Sequence, residues 1–202
     1  MTDEQLVKEF FNGDEEALEV LIEKYFKPIY NFIFQLSRDK NASEDILQDV
    51  FVKMWKNLET FEQEKKFSTW LYAIARNTAY DYLKKKKTLP FSAFENENGF
   101  NILENIEDQA ILHSGALLQK IDNAKDVEKY LKSLSPQLKT ILLLHHQQGF
   151  SLTEIAEILG ATNNTIKSKY HRTLIFLRKL KFSKKNKQQL CTRKHACFVI
   201  QA

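Results

Sequence analysis

The stretch FSLTEIAEILGATNNTIKSKYHRTLIFLRK, Phe150 to Lys179, leaves the chain few folds to choose from. Ser151 followed by Glu154 is a capping box, in which each side chain satisfies a backbone N–H that a helix start leaves unpaired. Leu152, Ile155, Ala156 and Leu159 recur on one helical face, and Gly160 supplies the left-handed residue that commonly ends a helix. Thr162 is a suitable N-cap for a second helix, whose apolar stripe is Ile166, Tyr170, Leu174 and Leu177. Asn164, Lys167, Ser168, His171 and Arg172 fall on the other side. A third helix, opening at Ser135-Pro136 and carrying Leu138, Ile141, Leu142 and Leu144, completes a small core, with Pro136 where a missing N–H is harmless. Two helices around a short turn with Gly form the helix-turn-helix pattern, whose second helix enters the DNA major groove. An αα-hairpin with a solvated basic face fits the same residues, so the helix pair alone leaves both readings open.

The rest of the chain follows the same helical period. Of 202 residues, 43% are hydrophobic, and there are only 5 Gly and 3 Pro, so an all-α chain of one or two domains is expected. Patterning covers about residues 3–12, 15–37, 43–58, 68–86, 127–147, 152–159 and 163–180, with Asp14, Ser43 and Ser68 as N-cap candidates. Between Thr88 and Asp126 the pattern weakens and acidic charge dominates, which reads as a flexible acidic linker. Two small helical domains at either end of it are the expected architecture.

Charge is unevenly placed. Residues 178–202 hold eight cations and no acid, so residues 1–177 carry −4 against a chain total of +4. Bulk charge therefore does not argue for nucleic acid, and local faces must. The Lys-rich segment 181–202 reads as disordered, because it offers little apolar surface to offset ordering. The N-terminal residues lack the pattern of a signal peptide, and no apolar run is long enough to span a bilayer. Cys191 and Cys197 imply no disulfide framework, in keeping with a cytoplasmic protein. With His195 they are candidate zinc ligands, but they lack a fourth ligand and a familiar spacing, so no metal or cofactor is expected.

Two more stretches carry functional information. FSTWLYAIARNTAYDYLKKKK, Phe67 to Lys87, turns Leu71, Ile74, Ala75 and Thr78 inward. It leaves Trp70, Tyr72, Arg76, Asn77, Tyr80 and Lys84 to the boundary and the exposed face. Aromatics interleaved with cations suit single-stranded nucleic acid, where bases stack on rings and cations follow phosphates. A packed aromatic stripe with a solvated cationic helix end is the other reading. The preceding helix, SEDILQDVFVKMWKNL, has more apolar positions than one stripe needs. Phe51 or Trp55 near Asp45, Gln48 and Asp49 would suit a protein partner.

Together SEDILQDVFVKMW, FSTWLYAIARNTAYDYL and LSPQLKTILLLHHQQGFSLTEIAEILGATNNTIKSKYHRTLIFLRK, in this order, resemble bacterial RNA polymerase sigma factors of the extracytoplasmic-function group of the sigma-70 family. The resemblance covers about residues 5–180. It implies sigma domain 2 over 1–87, an acidic linker over 88–126, sigma domain 4 over 127–180 and a basic tail over 181–202 without a family counterpart. It implies core RNA polymerase and promoter DNA as partners and transcription initiation as the job. Asp45, Gln48, Asp49 and Phe51 match positions that dock on the polymerase. Phe61 and Asn77 match a pocket for a flipped base of the minus-ten element, and Trp70, Arg76 and Lys84, read above on the exposed side of the same helix, are further candidates for contact with that element. Lys167, Ser168, His171 and Arg172 match recognition-helix positions that read the minus-thirty-five element, and Asn164 and Thr165 of the same helix are further candidates for that contact. The match departs from the usual pattern at Asn164 and at Lys169 or His171, which bears on the sequence preferred there. Many members of this group are held by a membrane-bound anti-sigma factor, a partner that these residues do not decide.

Two rival readings remain. An operator-binding helix-turn-helix regulator would use residues 150–179 but has no need of the docking and melting stretches between 43 and 86. An enzyme built on His145 and His146 lacks support, since adjacent helical residues point about 100° apart and no acid or nucleophile is spaced to assist them. No catalytic residue and no small-molecule substrate are expected.

Overall fold

The computed structural model describes residues 1–62, 64–86 and 134–178. Helix α1 (Asp3–Phe11) opens on a capping box between Thr2 and Gln5 and buries Leu6 and Val7. Helix α2 (Glu15–Ser37) is capped by Asp14 and turns Leu21, Tyr25, Ile29, Phe32 and Ile33 inward at the one-face spacing of a helix. Tyr25 donates its hydroxyl proton to Asp3 at 2.6 Å, which ties α1 across the start of α2. Helix α3 (Lys40–Asn57) follows Arg38, a left-handed C-cap with φ 57°, and buries Ile46, Leu47, Val50 and Met54. A single 3-10 turn, Leu58–Thr60, leads to the loop before α4 (Phe67–Lys85).

The expected helices are present among the described residues, but two caps lie elsewhere. The N-cap of α3 is Asp39, whose carboxylate accepts from the Ala42 amide at 3.1 Å. Ser43 is fully buried and gives its hydroxyl proton to the Asp39 carbonyl at 2.6 Å. It serves the helix end from inside the first turn, so α3 begins three residues earlier than its apolar period shows. Helix α4 has no side-chain cap of its own. Its first amide, on Phe67, donates instead to Glu4 of α1 at 3.2 Å. Ser68 was the local candidate, and the partner came from 63 residues away.

The C-terminal part matches the reading of its sequence more closely. Helix α5 (Pro136–His146) has Ser135 as N-cap and Pro136 in its first turn. Helix α6 (Leu152–Leu159) carries the Ser151–Glu154 capping box and ends at Gly160 with φ 62°. Helix α7 spans 163–178. Ile166, Tyr170, Leu174 and Leu177 are all buried, as is Thr173, whose hydroxyl donates back to the Lys169 carbonyl at 2.7 Å. The expected linker 88–126, the tail 181–202 and the candidate ligands Cys191, His195 and Cys197 lie outside the described residues.

The two expected helical domains are in contact with one another. Among the described residues, the buried apolar side chains of both ends form one continuous cluster. Helix α5 is buried nearly all round, at Leu138, Thr140, Ile141, Leu142, Leu143 and Leu144. A helix buried on all sides has neighbours on all sides. Those of α5 are α6 on one flank and α2 and α4 on the other.

Candidate nucleic-acid and protein interfaces

Three surfaces hold the candidate residues. The first is the outer face of α7. Asn164, Lys167, Ser168 and Arg172 are exposed there, while Thr165 and His171 are half-buried at its margins. Positions 164, 168 and 172 step by four residues and 167 lies between them, so the exposed four share one side of the helix. Thr165 is occupied by the helix start, its amide and hydroxyl both meeting the Thr162 hydroxyl. The face is held rigidly from behind. His145 donates from Nδ1 to the Phe150 carbonyl at 2.7 Å, and the Tyr170 hydroxyl meets Nε2 of His146 at 3.1 Å. Both histidines thus brace α5 against the turn and α7.

His146 gives this brace a pH dependence. Partial desolvation of its ring, followed by the nearby charge of His145, lowers its pKa from the usual 6.5 to about 4. The folded state therefore holds His146 neutral, able to accept from Tyr170, while the unfolded chain takes up a proton first as pH falls. Stability from this group is present above pH 6.5 and is lost progressively down to about 4. The carboxylate of Glu154 titrates outside that window. Hydrogen bonds from Lys66 and then from Ser151 hold its pKa at about 2, so its contribution begins to fall only below about 4.5. The melting temperature of the chain should drop between pH 7 and 5, and His146→Gln, which keeps an acceptor without the titration, should flatten that slope. An unchanged slope in the variant would remove His146 from this role.

The second surface is α4. Trp70, Asn77 and Lys84 lie seven residues apart, about 10.5 Å per step, and so line up along one side of the helix. Asn77 is exposed, and Trp70 and Lys84 are half-buried. Arg76 donates from Nη1 to the Asn77 side-chain oxygen at 2.7 Å and stacks its guanidinium over Tyr80 at 4.7 Å. Phe61 is not on this exposed line. It is 6% exposed and sits between Phe67 and Trp70, at centroid distances of 5.6 and 5.3 Å. The structure thus brings Arg76 and Asn77 together and places Phe61 at the other end of the row, beside Trp70. Tyr72 and Tyr80 depart from their expected place on the boundary. They are 2% and 6% exposed because α5 and the loop before α6 cover them. The sequence of α4 alone holds no sign of that cover.

The third surface joins α2 and α3. Asp45, Gln48 and Asp49 are exposed on α3 and Phe51 is half-buried. Beside them runs a groove of about 780 Å³ lined by Ile22, Phe26, Tyr30, Leu47, Phe51 and Val52. Phe26 stacks nearly parallel on Phe51, 6.2 Å between centroids, yet remains 52% exposed. Val52 and Trp55 are 48% and 61% exposed on the same helix. An apolar groove with an acidic rim has the composition of a protein interface, whose centre is apolar and whose edge is polar. Phe26 was missed by reading α3 alone, and Val52, on α3 itself, was passed over because it lies off the inward stripe. The available signal was in α2, where Val20, Leu21, Ile22, Tyr25 and Phe26 crowd more apolar positions than one inward stripe can use.

Among the described residues no helix is long and apolar enough to cross a membrane. Comparison with known proteins agrees with the order of these surfaces. Residues 21–88 match the family model described as Sigma-70 region 2, and residues 124–177 match Sigma-70, region 4. The ECF RNA polymerase sigma factor SigX of Bacillus subtilis is 29% identical over 168 residues, 82% of this chain and 84% of that one. SigW of the same organism is 29% identical over 175 residues, 86% of this chain and 93% of that one. The fold is similar to that of CnrH solved with the cytosolic domain of CnrY, at a TM-score of 0.63 and 19% identity, over 90% of this chain and 97% of that one. It is also similar to the sigma factor RpoE solved with the anti-sigma factor NepR from Bartonella quintana, at a TM-score of 0.59 and 24% identity, over 82% and 96%. With region 2 carrying α2 to α4 and region 4 carrying the helix-turn-helix, the chain belongs to the sigma-70 family, in its extracytoplasmic-function group.

Proposed function

We propose that this protein binds core RNA polymerase and directs it to promoters as a sigma factor. One observation carries the reading most strongly: an apolar groove with an acidic rim and a polar recognition helix occur in one chain, on different helices. An operator-binding regulator uses the second and has no use for the first. In this reading α2 and α3 dock on the polymerase through Phe26, Phe51 and the acids Asp45 and Asp49, with Gln48 beside them. The line Trp70–Asn77–Lys84, with Arg76, meets the minus-ten element as it opens, and α7 reads the minus-thirty-five element as duplex. Residues 1–87 and 127–180 are the two working domains, 88–126 the tether and 181–202 a basic appendage. The site of action is the cytoplasm, where polymerase and promoter meet. An anti-sigma factor is a fitting further partner, since a sigma factor of similar fold was captured with one.

The chemistry of α7 suits its role. Arg and Lys reach guanine edges or phosphates in the major groove, and each good bidentate base contact discriminates by about 1–3 kcal/mol. Arg172→Ala and Lys167→Ala should each lower initiation by roughly 5- to 150-fold on a template that depends on the minus-thirty-five element. Because both side chains are exposed, the melting temperature should stay within the small range usual for surface changes.

Transcription reconstituted with added core polymerase on promoters from the same genome tests the whole reading. Initiation should require both proteins, and free protein should bind duplex weakly, since residues 1–177 carry a net −4 and attract phosphates little. Tight sequence-specific footprinting by the protein alone, unchanged by core, would favour the operator-binding regulator instead.

A further inference from the structure

The groove between α2 and α3 is apolar along Ile22, Phe26, Leu47, Phe51 and Val52, and Glu44 stands on its lining. Asp45 and Asp49 are exposed on the same helix as Glu44. Phe26 and Val52 keep about half of their surface in water. Lys40 meets Glu44 at 3.8 Å, but both side chains are largely exposed, so the pair neutralises the acidic rim little. Burying this centre is favourable for any apolar segment that brings cations to the rim.

The chain contains such a segment beyond Arg178. Its cations, from Lys181 to Lys194, have no acid among them, and they lead into Ala196, Cys197, Phe198, Val199 and Ile200, an unbroken apolar run. Attraction to phosphate accounts for the cations but gives no use to the run. The run is too short to build a core of its own, so it gains only by closing on another surface. Cations followed by an apolar stretch are the complement of an apolar centre with an acidic rim. Reach permits the contact. The 20 residues after Arg178 end at Phe198 and span up to about 66 Å when extended. A compact body of roughly 130 residues has a radius of gyration of only about 14 Å.

We propose that residues 196–200 seat in the α2–α3 groove of their own chain, with Phe198 against Phe26 and Phe51 and the cations of 181–194 along Glu44, Asp45 and Asp49. The seat itself does not depend on what else binds there. Its consequence rests on the sigma-factor reading: the segment covers the surface assigned to core polymerase and is displaced when core docks. Tethering makes a weak seat sufficient. At an effective concentration on the order of 1 mM, an intrinsic Kd of about 0.1–0.5 mM weakens core binding by about 3- to 11-fold.

Both cysteines of the chain, Cys191 and Cys197, lie in this segment, so a thiol-reactive nitroxide marks it alone. In the full-length protein carrying Cys197→Ala, a nitroxide on Cys191 should attenuate the amide signals of Phe26, Leu47 and Val52 several-fold relative to the reduced label. Adding Phe198→Ser should restore those signals, whereas Phe198→Leu should not. Phe198→Ser alone should tighten binding to core polymerase by about 3- to 11-fold. Groove signals without attenuation, or attenuation indifferent to Phe198→Ser, would overturn the proposal. So would attenuation that appears only when spin-labelled chain is mixed with isotope-enriched chain, which would seat the segment on a second copy. Unattenuated signals in a protein that loses duplex affinity on Lys184→Ala and Lys185→Ala would give the segment to phosphate instead. A seat lost in Phe198→Ser with core affinity unchanged would support the seat and overturn docking of polymerase at the groove.

Discussion

Phe61→Ala should lower the stability of the protein by about 3–5 kcal/mol, the usual cost of truncating a buried Phe, and the melting temperature by about 10 °C or more. The reason is local. Phe61 is 6% exposed, packs edge-on against the fully buried Phe67, and tilts against Trp70. Removing the ring leaves a cavity between the 3-10 turn and the first turn of α4. Asn77→Ala is the contrast. Asn77 is exposed and accepts from its neighbour Arg76, so its loss should change stability by no more than about 0.5 kcal/mol. If Asn77 hydrogen-bonds the edge of an extruded base, its loss should cut open-complex formation on duplex promoter by about ten-fold or more, at about 1–3 kcal/mol per base contact. A pre-melted bubble should lessen the Asn77→Ala defect, because the opening cost has already been met. The resemblance assigns Phe61 and Asn77 to one pocket. The packing separates their expected signatures, one dominated by folding and one by strand opening. A Phe61→Ala protein that melts like wild type but opens promoters poorly would show that the ring leaves its niche to stack on a base.

What could be read in the sequence follows from how local its causes are. The C-terminal helix pair was legible almost residue by residue, because its capping box, Gly160 turn and apolar stripe are each set within a few positions. The start of α4 was not, since its first amide is satisfied by Glu4 on another helix. Ser43 misled for a related reason: a serine near a helix start resembles a cap, and here Asp39 takes that place while Ser43 is buried behind it. Tyr72 and Tyr80 show the limit of periodicity. On α4 alone they fall at the edge of the inward stripe, and only the arrival of α5 and Phe150 decides that they are buried. The recognition-helix residues were legible as a polar face. The groove between α2 and α3 was half legible, because its acids and Phe51 share one helix while Phe26 reaches it from another.

That groove supports the second large expectation. Phe26→Asp should weaken binding to core polymerase by roughly 30- to 1,000-fold, the range of about 2–4 kcal/mol for an aromatic hot spot at 1.4 kcal/mol per factor of ten. The free protein gains little from this ring, which is 52% exposed and touches the core mainly through its stack on Phe51. Its folding should therefore be nearly unchanged, and the melting temperature reports that directly. A partner gains much more, because closing over the groove removes the remaining exposed face from water. The substituted carboxylate would add to Glu44, which lines the groove, and to Asp45 and Asp49, exposed on the same helix, and would sit among the apolar side chains Ile22, Tyr30 and Phe51. Phe26→Leu should retain most of the affinity, since it keeps apolar surface without the stack. Transcription should fall equally on every promoter in Phe26→Asp, whereas Arg172→Ala should spare templates that do not depend on the minus-thirty-five element. If Phe26→Asp binds core normally while Asp49→Lys does not, docking is governed by the acidic rim and the apolar groove serves another surface.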